Sequence, residues 1–322
     1  MAEAQMSPQR RHVLEMKAKL KADDEARQAR AVRQAQRKLR NDYIFMADTA
    51  CKAGRYDDMF AYFKLLIAVP DCRLGYNERS LLQMAMRENI GARRIAYQKV
   101  MAIVEVSQRQ APAEIISVVV AYAERIKNEI VDRCQDVLDI VEEQSKFCTG
   151  RDFEAKACFH KIKGDCLRYL CESEHGERRH AYGTKCNREY GMARQIALNE
   201  LPAAHPTRLG IMLNMAIMFH EMFQQHDKAT SLLRVTYDET IDQLDEVHRE
   251  DSSEYTFNED TTVLLQQLRR TLVQWTSKSK HCHLTPPKPK SVFQRQREKE
   301  RAGKGDDINW NRTTEDWAAD DE

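Results

Sequence analysis

Apolar side chains recur every third or fourth position along most of the chain. Between residues 115 and 141 the apolar positions are Ile115, Val119, Tyr122, Ile126, Ile130, Cys134, Val137 and Val141. This spacing brings the apolar side chains to one face of an α-helix, which is typical of an amphipathic helix packed on a core. The two-residue alternation of a half-buried β-strand does not occur. The pattern therefore favours an all-α protein.

The same periodicity predicts nine helices separated by short connections. They lie near residues 40–53, 55–68, 76–107, 112–147, 151–172, 179–200, 206–224, 227–243 and 259–276. Only eleven glycines and eight prolines occur, and every proline lies outside these segments or at the first residue of one. Consecutive helices with short links predict an antiparallel helical array. The sequence has no fixed repeat period, which argues against a regular solenoid.

Charge is distributed very unevenly along this chain of 322 residues, although its formal net charge is only +1. Residues 1–40 carry eleven Lys or Arg and five acids, and residues 278–304 carry nine and two. Residues 306–322 reverse the sign, with seven acids and one Arg. Such blocks predict a basic, helical N-terminal extension over 1–41, a folded domain over 42–277 and a disordered, basic-then-acidic tail over 278–322.

The remaining composition excludes several classes of protein. The nine cysteines form no CxxC pair, which predicts reduced thiols and a cytoplasmic protein, with the nucleus left open as a second compartment. No run of eighteen apolar residues predicts a membrane span. The HCH sequence at 281–283 lacks the spacing of zinc ligands, and no pair of nucleophile and base stands out. We therefore expect no metal, no cofactor and no enzymatic activity.

Five segments, in order, carry a resemblance to a known family. They are AGRYDDM at 53–59, IGARR at 90–94, KIKGDCLRYL at 161–170, HPTRLGIMLN at 205–214 with Glu221 after it, and QLRRTLVQWTS at 267–277. Together they resemble the 14-3-3 family of dimeric phosphopeptide-binding proteins over about residues 42–277. The resemblance implies nine antiparallel helices that form a concave groove. It also implies a non-catalytic adaptor that binds phosphoserine or phosphothreonine segments of partner proteins.

The resemblance assigns the phosphate to four residues, Arg87, Arg94, Arg168 and Tyr169. A phosphate ester needs several fixed cations, and the forked donors of arginine suit its oxygens. Arg87 and Arg94 are seven residues apart and share one helix face. An alternative stays open for each residue. Arg87 and Arg94 could form a solvated stripe, and Lys161 and Arg168 could pair with Asp165 and Glu172 along their own helix.

Contacts with the peptide around the phosphate are implied for residues of three predicted helices. The resemblance assigns them to Lys161, Leu213, Asn214, Ile217, Glu221, Thr271 and Trp275. Core or ordinary surface positions are the alternative for each. Four positions of the last helix depart from the family, because Gln267 and Gln274 stand where leucines are usual, and Arg270 and Thr271 replace an Asp-Asn pair. We expect phosphate capture to be intact and the grip on the flanking peptide to be altered.

A dimer is the other property that the resemblance implies. It sets Arg55 opposite Glu129 and Asp58 opposite Arg125 across two protomers, with Tyr122 at the junction. The alternative is that these are surface charges paired within one chain. Either a homodimer or a heterodimer with a related protein is expected. The competing hypothesis is a helical dimer scaffold that binds unphosphorylated proteins, or nucleic acid through its basic ends, although nucleic acid is the less favoured partner.

Overall fold

The computed structural model describes residues 8–249 and 259–278, and every regular element in these ranges is a helix. In chain order the helices are α1 (Pro8–Lys52), α2 (Tyr56–Ile67), α3 (Tyr76–Gln110), α4 (Ala113–Ser145), α5 (Phe153–Ser173), α6 (Gly176–Glu200), α7 (Pro206–Glu221), α8 (His226–Arg249) and α9 (Glu259–Lys278). The predicted all-α class is confirmed. The basic-then-acidic tail from residue 279 and the HCH sequence lie outside the described residues. None of the described helices is long and apolar enough to cross a membrane.

The largest difference from the predicted helices is at the N-terminus. The first helix begins at Pro8 and runs for 45 residues, whereas the apolar pattern predicted a start near residue 40; the predicted helical extension and the first amphipathic helix are therefore one continuous helix. Hydrophobic periodicity marks only the part of a helix that packs on a core. Residues before 40 carry mostly Ala, Arg and Gln, which favour a helix by intrinsic propensity rather than by burial.

The chain divides into two compact units after Ala92, within α3. The first unit has a core built by α1, α2 and the first part of α3. Its buried side chains include Ala47 and Ala50 of α1, Phe60 and Phe63 of α2, and Leu82 of α3. Gly54 has a φ of +70°, a conformation that favours glycine, and it allows the tight turn between α1 and α2.

The second unit comprises the rest of α3 and helices α4 to α9. Helix α5 lies deep within it, since fourteen of its residues are buried. At Gly164 a Cβ atom would lie 2.9 Å from the ring of Tyr190, so glycine permits the close approach of α5 and α6. A second apolar cluster joins α6, α7, α8 and α9 around Tyr190, Phe219 and Leu233. The eight cysteines in the described part of the chain are free thiols, and six are buried.

Candidate anion-binding site

Helix α5 buries charged side chains, which a purely structural helix avoids. Lys161, Asp165 and Arg168 follow one another at spacings of four and three residues, so they share one face, and all three are buried. Burial of a charge is costly unless the charge is paired and hydrogen-bonded. This cost indicates that the charges either satisfy one another or serve a ligand.

Two guanidinium groups from different helices meet on one carboxylate. Arg94 of α3 donates from Nε to Oε2 of Glu172 over 2.8 Å, and its Nη2 donates to the same oxygen. Arg168 of α5 donates from Nη1 to Oε1 of Glu172 over 2.9 Å. Glu172 therefore occupies a position where two arginines converge on a single anion.

The ring of Tyr169 lies next to both arginines. The guanidinium carbon of Arg94 is 4.2 Å from the ring centroid, and that of Arg168 is 4.7 Å from it. Burial raises the pKa of Tyr169 to about 12, although the charge of Arg168 opposes this shift. The phenol is consequently protonated at neutral pH and can donate a hydrogen bond to an anion.

Donors remain at this site after Glu172 has been bound. Each guanidinium offers five N–H groups, and the contacts of Arg168 with the described residues leave its buried Nε without a hydrogen-bond partner. The Arg168 side chain is 7% exposed and that of Arg94 is 22% exposed. Two partly covered cations with spare donors, beside a neutral phenol, form a site suited to an oxyanion of small size.

Asp165 organises the neighbouring side chains. Its Oδ2 accepts from Lys161 Nζ over 2.9 Å, and its Oδ1 accepts from Asn214 Nδ2 over 2.6 Å and from the hydroxyl of Tyr190. Burial alone would raise the pKa of Asp165, but the charges of Lys161 and Arg168 outweigh it and the pKa is lowered. An ionised carboxylate thus fixes Lys161 and Asn214 next to the arginines.

Helix α7 presents Asn214, Ile217 and Glu221 on one face, at spacings of three and four residues. Ile217 is partly buried and Glu221 is exposed at its edge. Desolvation by the surrounding protein raises the pKa of the Glu221 carboxyl, although the side chain reaches solvent. The charges of Arg168 and Arg94 oppose this shift and that of Glu172 adds to it, so Glu221 lies close enough to the two arginines to be affected by their charge. Leu213, by contrast, is only 2% exposed and packs in the core, which was the alternative for that position.

On α9 the side chains predicted to hold a peptide have defined neighbours. The indole of Trp275 stacks on the imidazole of His220, with ring centroids 4.1 Å apart and planes at 5°. The Thr271 hydroxyl donates to the carbonyl of Gln267 over 2.9 Å and so bonds within its own helix. Gln267 and Gln274 are exposed. These side chains give this part of α9 a polar surface, and their contact with a peptide stays a prediction.

From the sequence, Asp165 and Glu172 are expected only as partners in the alternative ion pairs, and the structure gives them larger roles. Lys161 and Arg168 do form the predicted pairs along α5, but these pairs are largely buried rather than surface pairs. Lys161 is therefore committed to Asp165. The signal for both acids was their spacing of four residues from a cation, while the reach of Glu172 to Arg94 was not visible in the sequence.

Arg87 belongs to the first unit, where its side chain is exposed and its Nε donates to Glu88 over 3.0 Å. Its convergence with the two arginines of the second unit stays a prediction.

The charges predicted to join two protomers have partners inside one chain. Arg55 pairs with Asp58, Glu129 accepts from Arg93 over 3.2 Å, and the Arg125 guanidinium lies 4.9 Å from the centre of the Tyr122 ring. This arrangement matches the alternative of intrachain charges. Exchange of these partners across a dimer stays a prediction.

Comparison with known proteins identifies the family to which this sequence belongs. A sequence model of the 14-3-3 protein family matches residues 46–276. A 14-3-3 protein homolog of Trichoderma harzianum is 33% identical over 236 residues, which cover 73% of this chain and 87% of that protein. The 14-3-3 protein epsilon of Drosophila melanogaster is 32% identical over 238 residues, covering 74% and 88% of the two chains. The checkpoint signal transducer rad24 of Schizosaccharomyces pombe is 32% identical over 242 residues, covering 75% and 87%. The chain belongs to the 14-3-3 family.

Proposed function

We propose that this protein is a non-catalytic adaptor that binds phosphoserine or phosphothreonine segments of client proteins. The observation that carries the proposal is the convergence of Arg94 and Arg168 on the carboxylate of Glu172. A phosphate monoester is a stronger anion than a carboxylate, with a charge of about −1.5 to −2 at pH 7 and three acceptor oxygens. Membership of the 14-3-3 family also supports an adaptor role.

The phosphate binds beside Glu172 rather than in its place. Glu172 holds the two guanidinium planes with part of their donors, and the remaining N–H groups bind the phosphate oxygens. The hydroxyl of Tyr169 adds an uncharged donor, and Arg87 adds a third cation. Hydrogen bonds to charged groups contribute about 1.5–3 kcal/mol each, so three or four of them make phosphorylation the main determinant of affinity.

Side chains of α7 and α9 hold the peptide on either side of the phosphate. Asn214 is pinned through its Nδ2 to Asp165, which leaves its amide oxygen to accept from a peptide N–H group. Ile217 supplies an apolar contact and Trp275 supplies a flat one. Because Thr271 bonds within its own helix, one backbone clamp is lost at a cost of about 1 kcal/mol. Affinity is therefore reduced and its sequence preference changed, without loss of phosphate recognition.

The adaptor acts as a dimer in this proposal, in the cytoplasm, with the nucleus left open as a second compartment. Arg55 and Asp58 of one protomer exchange their intrachain partners for Glu129 and Arg125 of the partner subunit. Such exposed pairs contribute little free energy. They instead determine which surfaces meet, while small and apolar side chains supply the binding energy. Two grooves in one dimer hold two phosphorylated segments of a client at once.

A titration of the full-length chain with two fluorescent peptides tests the proposal. The peptides share one sequence of about fifteen residues and differ only in the phosphate on a central serine. Fluorescence anisotropy is expected to show binding of the phosphorylated peptide at least a hundredfold tighter than the unphosphorylated one, since two charge-assisted bonds account for about 3 kcal/mol. Equal affinity for the two peptides would favour the scaffold of unphosphorylated partners instead. Sedimentation velocity on the same sample measures the dimer independently.

A further inference from the structure

The N-terminal part of α1 is a helix without tertiary packing. Its described side chains before Arg40 are exposed, apart from the partly covered Gln36. Arg40 is the point at which α1 first bonds to the rest of its unit, because its Nη2 donates to Glu78 over 2.9 Å and to the carbonyl of Arg73 over 3.3 Å. Before it, about nine turns of helix are not needed to build the core. An exposed helix of this length is a candidate binding surface for another molecule.

Arginines concentrate on one side of this helix. Residues 26–41 contain six Lys or Arg and no acid. At 100° per residue, Arg27, Arg30, Arg33 and Arg37 fall within about 120° of the helix circumference and extend over about 15 Å of its length. All four are exposed, and none forms an ion pair with any residue that the structure describes. We call this surface the arginine face.

We propose that the arginine face binds the phosphate backbone of duplex DNA. Unpaired guanidinium groups at this spacing complement a row of phosphates, which arginine binds bidentately. An α-helix is about 10–12 Å across and the major groove of B-DNA is about 12 Å wide, so a free-standing helix can enter it. The narrow major groove of A-form RNA does not admit a helix in this way. The contacts involve phosphates and carry no sequence preference.

The opposite side of α1 argues against a membrane as the partner. Across from the arginine face the large apolar side chains between residues 26 and 41 are only Val32 and Leu39, among Gln and Ala. A helix that lies in a membrane surface needs a broad apolar face with large side chains. Two such side chains are too few, so electrostatic binding to phosphates without insertion is the favoured mode.

The test compares two double variants of the full-length protein that remove the same charge from the same helix. R30Q/R37Q neutralises the centre of the arginine face, whereas K17Q/K21Q neutralises two exposed lysines on the other side of α1. The probe is a fluorescent 24-base-pair DNA duplex, with the RNA duplex of the same sequence and phosphatidylserine vesicles as further probes. Affinity is measured by anisotropy at several salt concentrations between 50 and 200 mM.

Each phosphate contact contributes a slope of about −0.9 to the dependence of log affinity on log salt. The R30Q/R37Q protein is therefore expected to lose about two units of slope. Over this fourfold range of salt, the affinity of the unchanged protein then falls about tenfold more than that of the variant. K17Q/K21Q is expected to keep the slope of the unchanged protein. Basic residues 278–304 are present in all three proteins and cancel in the comparison.

Three outcomes would overturn the inference. The two variants could lose equal affinity, which would mean a diffuse charge effect, or the RNA duplex could bind as tightly as DNA. Vesicles could also bind through Arg30 and Arg37 while DNA does not. Phosphopeptide binding is expected to be the same in R30Q/R37Q as in the unchanged protein. That result separates this inference from the proposed adaptor function, so either can fail alone.

Discussion

Replacing Arg94 by alanine removes one of the two guanidinium groups that converge on Glu172. The side chain is 22% exposed, and its contacts are the two hydrogen bonds to Glu172 and the stack on Tyr169. Glu172 keeps its bond from Arg168 in the variant, so no buried acid is left without a partner. The change therefore acts on the site more than on the fold.

The expected loss follows from the donors that Arg94 has left for a ligand. Two hydrogen bonds to a phosphate, at about 1.5–3 kcal/mol each, amount to at least about 3 kcal/mol. This loss corresponds to a Kd for a phosphopeptide that is raised by more than about a hundredfold. The free energy of unfolding is expected to fall by only about 1 kcal/mol, since the lost pair is partly solvated. Arg94→Lys keeps the charge without the fork and is expected to show an intermediate loss.

Arg93→Ala is the matched control. Arg93 is the preceding residue of α3, its side chain is 20% exposed, and it pairs with Glu129 rather than with Glu172. Anisotropy titrations with one phosphopeptide and urea unfolding curves are measured on both variants. Only Arg94→Ala is expected to lose binding. An unchanged Kd in Arg94→Ala, or equal losses in the two variants, would refute the role of Arg94 in the site.

Three further predictions concern the surrounding side chains. Tyr169→Phe is expected to weaken phosphopeptide binding about tenfold or more. Because the pKa of Tyr169 is raised to about 12 in the fold, its neutral phenol stabilises the folded protein, and this stability is lost as pH rises from about 10 through 12. An alkaline titration followed at 295 nm detects the ionisation. Asp165→Asn removes the buried negative charge next to Lys161 and Arg168 and is expected to cost about 3–5 kcal/mol in urea unfolding. Because the pKa of Asp165 is lowered in the fold, the stability that its charge contributes is present above the unfolded pKa of about 4 and is lost as pH falls below it. His220→Ala is expected to lower the free energy of unfolding by about 0.5–1.5 kcal/mol, in addition to the effect of the lost buried area, and to change the fluorescence of Trp275. His220→Phe retains the stack. Identical fluorescence spectra for the two variants would count against this contact.

Local patterns were enough to identify the helices, because an amphipathic helix repeats its apolar residues every three or four positions. They failed at the start of α1, where the helix leaves the core and no apolar face is required. Helix propensity covers that segment instead, since Ala, Arg and Gln are strong helix formers. The order of charge blocks predicts two ends distinct from a folded centre, and this division stays a prediction.

Motifs identified the candidate residues Arg94, Arg168 and Tyr169, but could not decide between a ligand site and ordinary ion pairs. Arg168 and Glu172 are one helical turn apart, which is compatible with both. The decisive contact joins Glu172 to Arg94 from 78 residues away. A single sequence contains no information on which distant side chains share a carboxylate, because that depends on how the helices pack.

The sequence by itself determined the helical class, the family and the identity of the basic side chains, since these depend on residue type and on spacing within one helix. Only the tertiary structure decided that Asp165 accepts hydrogen bonds from both Lys161 and Asn214, and that Glu172 accepts hydrogen bonds from two arginines. It also decided the burial of each charge. These properties arise from contacts between helices, where low exposure makes pairing obligatory and gives a few side chains their fixed positions.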